Sequence, residues 1–410
     1  MTTMLHVARD EHSKVHLAVL QATSFCNIDC KYCYLPGRSA VLRMSQETLG
    51  QAFRFFLEKP QRLADPFVIA WHSGEPLAMP IGFYESAFRL LERMAPRSPG
   101  IEHWFQTNAT LINQAWCDLF KRWQIRVGVS IDGPQRFHDA NRVDRSGKGT
   151  FNKVLRGIEC LKSNGIEFAT IGVLSEQSLD HPEEIWRFFR HLGATSLAFN
   201  FEEIEGAHLS TSLRSQSCGS RAETFFETLL TLRNTEAPEI FIRELDYFFD
   251  GFSRWEQEFR TMENAPAGII GIAWNGDIST FSPELIGVKH PAYGDFTVGN
   301  VGTHTLDDVL SHPKFRTIYQ QINSGVGKCK ASCDYFRVCG GGQPSNKLYQ
   351  NGTFDSAETP ACHLRIQSVA NVAIRSAEKQ RGLTQMPGLS VRQRIDGLLR
   401  AAQAHAISGG

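Results

Sequence analysis

Between residues 16 and 205, short runs of β-branched and aromatic residues alternate with stretches whose apolar positions recur every three to four residues. The runs H-L-A-V-L-Q-A-T (16–23), P-F-V-I-A-W-H (66–72), I-E-H-W-F-Q-T-N (101–108), R-V-G-V-S-I-D (126–132), E-F-A-T-I-G-V-L (167–174) and S-L-A-F-N-F-E (196–202) predict strands, because such side chains suit a pleated, half-buried surface. The stretches between them predict amphipathic helices. The one over 45–57 opens with Ser45, Glu47 and Thr48 as a capping group, and the one over 81–94 is introduced by Pro80. Repeated strand–helix alternation predicts an α/β fold with a parallel sheet, and the right-handed crossover rule rolls that sheet toward a partial (β/α)6, TIM-like barrel; a doubly wound sheet is the alternative.

In either architecture functional groups collect at the carboxyl ends of the strands. C-N-I-D-C-K-Y-C follows the first predicted strand, H-S-G-E-P the second, Q-T-N-A-T the third, S-I-D-G-P the fourth and N-F-E-E-I-E the sixth, so five loops share one face. After Gly206 the texture changes to helical patterns over 218–234 and 239–256, then a Gly- and Pro-rich stretch over 264–304 with little helical period. More cysteines follow, and 365–404 reads as helical before a loose tail. The expected organisation is a barrel core over 1–206, a helical, substrate-facing segment over 207–263, a small cysteine domain over 264–370, and a C-terminal helix and tail over 371–410.

Composition narrows the classes. In 410 residues, 43 Lys and Arg balance 43 Asp and Glu without a run of like charge, so nothing points to nucleic acid or an anionic membrane. The N-terminus lacks an apolar signal core and no stretch of about 18 apolar residues occurs, which predicts a cytoplasmic protein. There, ten cysteines are better explained by metal ligation than by disulfides. Seven fall in two groups: Cys26, Cys30 and Cys33, then Cys329, Cys333, Cys339 and Cys362; Cys117, Cys160 and Cys218 read as ordinary thiols.

C-x3-C-x2-C supplies three thiolates where a protein-held 4Fe-4S cluster normally takes four, leaving one iron open to another ligand. A zinc knuckle completed by a distant His, or three unrelated core thiols, are the plainer alternatives. The spacing resembles that of the radical S-adenosylmethionine superfamily. The resemblance implies that the amino and carboxylate groups of S-adenosylmethionine fill the open corner, and that a 5′-deoxyadenosyl radical then removes hydrogen from an unactivated C–H bond.

Further loops carry the likeness. Ser73-Gly74-Glu75-Pro76 resembles the family's GGEP loop, which receives the cosubstrate's amino group; Ser73 replaces the usual first Gly, so the turn is expected to be tighter or shifted. Ser130 and Asp132 match positions that contact ribose or carboxylate in relatives, Arg142 or Arg145 is a candidate partner for that carboxylate, and Tyr32 and Asn108 are grouped with these cofactor contacts.

The second cysteine group, C-K-A-S-C-D-Y-F-R-V-C-G-G-G with the later Cys362, resembles the SPASM extension of radical enzymes that modify peptides. Cys329, Cys333, Cys339 and Cys362 match one of its two auxiliary 4Fe-4S clusters, with one residue inserted in the first spacing. The other cluster would need ligands where Phe281 and Gln343 stand, so it is expected to be absent. A zinc ribbon is the alternative for the remaining site.

T-S-F-C-N-I-D-C-K-Y-C-Y-L-P, W-H-S-G-E-P-L, F-N-F-E-E-I-E-G, S-T-F-S-P-E-L and C-G-G-G-Q-P-S-N-K together resemble the GRRM-type, cyclophane-forming peptide maturases over about residues 15 to 370. That likeness implies a ribosomally made precursor peptide as substrate, in which an aromatic ring is joined to the β-carbon of a residue two positions on. It also implies an external flavodoxin- or ferredoxin-like electron donor, with one electron leaving through the auxiliary cluster. Glu202, Glu203 and Glu205 are candidates for the base that takes the ring proton; strand alternation would put Glu203 and Glu205 on one side and Glu202 on the other. With only about 15 residues before the first strand, peptide recognition is expected at the barrel mouth and over 207–270. The other readings are an anaerobic sulfatase-maturing, formylglycine-generating enzyme, and a protein whose clusters only carry electrons.

Overall fold

Along Val15–Leu20 (β1) and Leu63–Trp71 (β2), successive side chains take opposite faces of the sheet. Leu17, Val19, Val68 and Ala70 meet Met262, Ile269 and Ile286 on the inner face, while Ala18, Leu20, Ile69 and Trp71 join the helical layer outside. Both faces are buried, which is why these strands read as nearly unbroken apolar runs. The computed structural model describes residues 6–8, 13–96, 100–252, 259–383 and 388–408.

Ile101–Thr107 (β3), Arg126–Ser130 (β4), Phe168–Leu174 (β5) and Ser196–Phe201 (β6) continue the sheet, each parallel to its neighbour. Phe241–Ile242 (β7) adds a short parallel strand beside β6. At the other edge Ile269–Ile272 (β8) pairs parallel with β1 and continues antiparallel into Asp277–Thr280 (β9) and Gly299–Asn300 (β10). The order is therefore β10-β9-β8-β1-β2-β3-β4-β5-β6-β7. This is an α/β partial barrel, with helices between successive core strands.

The six predicted strands all form, but β1 stops at Leu20, not at residue 23. The chain beyond it pairs instead with the returning segment, where Met44 N donates to Ala22 O at 2.8 Å and Ser24 N to Leu42 O at 3.2 Å. The helix Gln46–Leu57 begins as its sequence requires, with Ser45 Oγ accepting from Thr48 N at 3.0 Å. Its buried Leu49, Phe53 and Phe56 each contribute about 1.5–3 kcal/mol relative to exposure.

Larger differences lie beyond residue 206. The stretch over 264–304 contains β8 to β10, so the cysteine-bearing segment starts inside the barrel's own sheet. The pattern over 239–256 resolves into β7 and the helix Arg243–Gly251, with 253–256 outside the described residues. The pattern over 365–404 resolves into Ser368–Gln380 and Val391–Ser408, with 384–387 outside the described residues. Ser368–Gln380 docks on the helix Cys218–Glu236, where Ser368 Oγ donates to Gly219 O at 3.0 Å and Asn371 and Arg375 both reach Glu223. No helix among the described residues is long and apolar enough to cross a membrane.

Candidate functional site

Each core strand ends where a motif loop begins, so the loops converge on one mouth. Cys30 is buried, and Cys26 and Cys33 are half-buried on the loop after β1. Burial pushes the Cys30 thiol up to about 11, and burial followed by the Glu75 carboxylate pushes Cys26 higher still. Left to themselves these groups are neutral thiols; they become thiolates when a metal takes the charge. Two nitrogen donors already face the sulfurs: Asn108 Nδ2 lies 3.8 Å from Cys26 Sγ and Arg142 Nη1 4.0 Å from Cys30 Sγ. That donor set fits a thiolate-held iron–sulfur cluster.

Asp132 ties the mouth together. Its carboxylate accepts from Tyr32 Oη at 2.5 Å, Arg142 Nε at 3.0 Å and Val173 N at 2.9 Å, with the Arg142 guanidinium 5.4 Å from the centre of the Tyr32 ring. Burial opposes the charge on Arg142, but Asp132, Tyr32 and Cys30 together more than offset it and hold the guanidinium protonated. Arg145 faces elsewhere and donates to Cys26 O at 2.7 Å and Arg38 O at 2.5 Å, clamping the backbone of the cysteine loop. Ser130 accepts from Gln106 Nε2 at 2.9 Å; Gly128 leaves room for that glutamine, since a Cβ there would lie 2.3 Å from its Oε1.

The loop after β2 is built by backbone geometry. Gly74 has φ +132° and a Cβ would fall 2.3 Å from Thr23 O, so only glycine fits. Ser73 takes the left-handed conformation at φ 63°. Glu75 accepts from Thr107 Oγ1 at 2.6 Å, Asn108 N at 2.8 Å and Leu77 N at 2.9 Å, locking this loop to the one after β3. Burial nevertheless raises its carboxyl to about 7.

The acidic loop after β6 divides. Glu202 turns toward the outer loop, pairing with Ser212 and lying 3.4 Å from His208 Nε2. Glu203 accepts from Asn346 Nδ2 at 2.5 Å and faces Arg365 Nη1 at 3.5 Å. Burial, then the Glu284 and Glu203 carboxyls, push Glu205 well above the usual carboxylate range. Arg365 also donates to Gln343 Oε1, and Gln343 Nε2 to Glu263 Oε1 at 2.9 Å, where burial raises Glu263 to about 8. Gly206, at φ +56°, brings this loop against Tyr34 O of the cysteine loop, to which Ala207 N donates at 2.8 Å. Glu263, Glu284, Asn346 and Arg365 were not singled out from sequence; the S-P-E-L and Q-P-S-N-K motifs were the available signal. Gln343 joins this polar chain and Phe281 stacks on Phe315 with ring centres 5.2 Å apart, so neither position offers a thiolate.

Cys329 ends the helix Pro313–Ser332, Cys333 caps it, Cys339 ends the turn Phe336–Cys339, and Cys362 opens the turn Cys362–Gln367. All four line one small, nearly filled cavity of about 10 Å³. Burial raises Cys333 to about 11 and Cys339 to about 12. Among the described residues no three His, Cys, Asp or Glu side chains gather as one metal ion requires. A zinc site would draw its ligands to about 2–2.3 Å of one centre, whereas a cubane sets each thiolate on a different iron. The four thiols, two buried and two half-buried, supply the four thiolates that a closed cubane takes.

A partial α/β barrel with a three-thiol loop and a buried carboxylate–guanidinium pair at its carboxyl-terminal mouth has the build of a radical S-adenosylmethionine enzyme. The family model for the radical SAM superfamily matches residues 20–189. An uncharacterised protein of Synechocystis sp. is 41% identical over 90% of this chain and 93% of its own length. A serine-type anaerobic sulfatase-maturating enzyme of Bacteroides thetaiotaomicron is 27% identical over 82% of this chain and 83% of its own. The chain belongs to the radical SAM superfamily, and it is an enzyme. Among solved structures, anSMEcpe with bound AdoMet aligns with a TM-score of 0.74 at 19% identity, over 95% of this chain and 98% of that one. Streptococcus suis SuiB bound to its precursor peptide SuiA aligns with a TM-score of 0.62 at 15% identity, over 86% and 77%. The fold is thus shared with peptide-modifying members of the superfamily.

Proposed function

We propose that the protein is a peptide maturase that joins an aromatic side chain to the β-carbon of a nearby residue in a ribosomally made precursor, forming a cyclophane. The observation that carries the reading is the polar chain Glu203–Arg365–Gln343–Glu263. It links the mouth beside the three-thiol loop to the four-thiol cavity, through Gln343, one of the two positions that would otherwise hold a further cluster. Cys26, Cys30 and Cys33 would hold a 4Fe-4S cluster with S-adenosylmethionine, and Cys329, Cys333, Cys339 and Cys362 a second, closed one. When bound, the first of these supplies a 5′-deoxyadenosyl radical able to take hydrogen from an unactivated carbon.

The chain's own residues do the rest. Glu75, Asn108, Tyr32, Asp132 and Arg142 fix the cysteine loop and the walls beside it, and Ser73, Gly74 and Ser130 bring backbone and hydroxyl close to the cosubstrate. Burial holds Glu205 well above the usual carboxylate range, and Glu203, beside the Arg365 guanidinium, is the group assigned to take the ring proton. A formylglycine-generating activity is the second reading, favoured by the 27% identity to a sulfatase-maturating enzyme.

The test uses the precursor peptide with reductant and S-adenosylmethionine. Loss of two hydrogens with a new ring-to-β-carbon bond by NMR, and no aldehyde captured by hydrazine, is the expected product. A hydrazine-reactive formylglycine would establish the second reading instead.

A further inference from the structure

Lys347 lies on the helix Pro344–Asn351 with 2% of its surface exposed, and among the described residues its Nζ has no oxygen or nitrogen partner and stands against the Cys329 thiol. A buried ammonium without a partner is costly, and such a group normally stands against a compensating negative charge. Gly325 makes space for it: a Cβ there would come 3.2 Å from Lys347 Nζ and 2.4 Å from Phe354 O. Gly325 precedes Cys329 by one turn on the helix Pro313–Ser332, so the ammonium and that thiol share a helix face. Burial raises the Cys329 thiol, and Lys347 is the largest influence in the other direction.

The neighbouring carboxylates do not answer the charge. Asp355 lies within the field of Lys347 but is held by Lys328 Nζ at 3.0 Å, and Glu358 lines the thiol cavity and raises Cys333. Four thiolates around an oxidised cubane core of two positive charges leave a net dianion. Such a cluster, held by these four thiols, would supply the missing counter-charge.

We propose that Lys347 is the fixed counter-cation of the auxiliary cluster: it touches none of the irons, balances part of the thiolate charge, and holds the cluster's reduction potential up. The inference rests on the reading that Cys329, Cys333, Cys339 and Cys362 hold a cubane. Reduction adds one further negative charge, so a nearby cation stabilises the reduced form more than the oxidised one. Lys347 is therefore a positioning charge, and the readout that isolates it is a potential.

The experiment uses the full chain carrying C26A, C30A and C33A, reconstituted anaerobically so that only the auxiliary cluster contributes, with K347M and K347R compared by a potentiometric titration followed by EPR. K347M should keep its iron while its reduced-to-oxidised ratio at fixed ambient potential falls at least tenfold, about 59 mV for a one-electron couple. K347R should match the parent. Full iron with an unchanged potential in K347M overturns the proposal. Where K347M loses its iron, retention in K347R with the parental potential supports a role of charge, and loss from both overturns it in favour of packing. A parent chain with no cluster removes the cubane reading itself, a result distinct from an unmoved potential.

Discussion

Glu263 shows how far burial, with the Glu284 carboxyl beside it, shifts chemistry in this mouth. Its carboxyl rises from 4.5 to about 8, because burial outweighs both the Gln343 amide and the Arg365 guanidinium. Between those values the folded state keeps a proton that the unfolded state has released, so the unfolded state binds fewer protons and stability falls as pH rises. The contribution is complete below about 4.5 and is lost as pH rises through about 8. E263Q keeps an acceptor for Gln343 and cannot ionise. Its unfolding free energy, measured by denaturant titration, should vary less between pH 5 and 8 than that of the parent; identical slopes would show that Glu263 does not hold this proton.

At the scale of elements, the cysteine loop is a clamped segment, held by Arg145 on its backbone, by Asp132 through Tyr32, and by Gly206 packing the acidic loop against Tyr34 O. Arg145 is exposed, so its hydrogen bonds to two backbone carbonyls contribute only about 1 kcal/mol. R145A should leave the fold intact and speed the chelator-driven loss of iron from this loop several-fold. An unchanged rate would mean the loop is held without it.

How much of this was legible follows from local pattern. The six core strands were readable because β1 and β2 are apolar on both faces, β4 and β5 alternate buried with less buried positions, the helices between them keep a clear period, and the motifs fell directly after them. β8 was not, since I-I-G-I is four residues long and Gly271 only makes sense against Ile286, whose Cδ1 would lie 2.8 Å from a Cβ there. The helix Pro313–Ser332 escaped for another reason: buried Phe315, Ile318, Ile322 and Val326 keep helical spacing but are diluted by polar residues. Glu263, Glu284 and Arg365 were invisible as a group because they are distant in sequence and meet only once β8 and β9 extend the barrel sheet.

For the whole molecule, a chain of balanced charge concentrates acid in one half-buried place. Glu203, Glu205, Glu263 and Glu284 surround Arg365 between the barrel mouth and the four-thiol cavity, where local fields, not net charge, act on a substrate. The central claim is that the open three-thiol loop generates the radical while the closed four-thiol site does not. Its most direct test is 5′-deoxyadenosine release from S-adenosylmethionine under anaerobic reduction, comparing the parent chain, expected to hold about eight irons, with the C26A, C30A and C33A variant, expected to hold about four. The parent should form 5′-deoxyadenosine and the variant none while keeping its four irons; cleavage retained in the variant would contradict the claim.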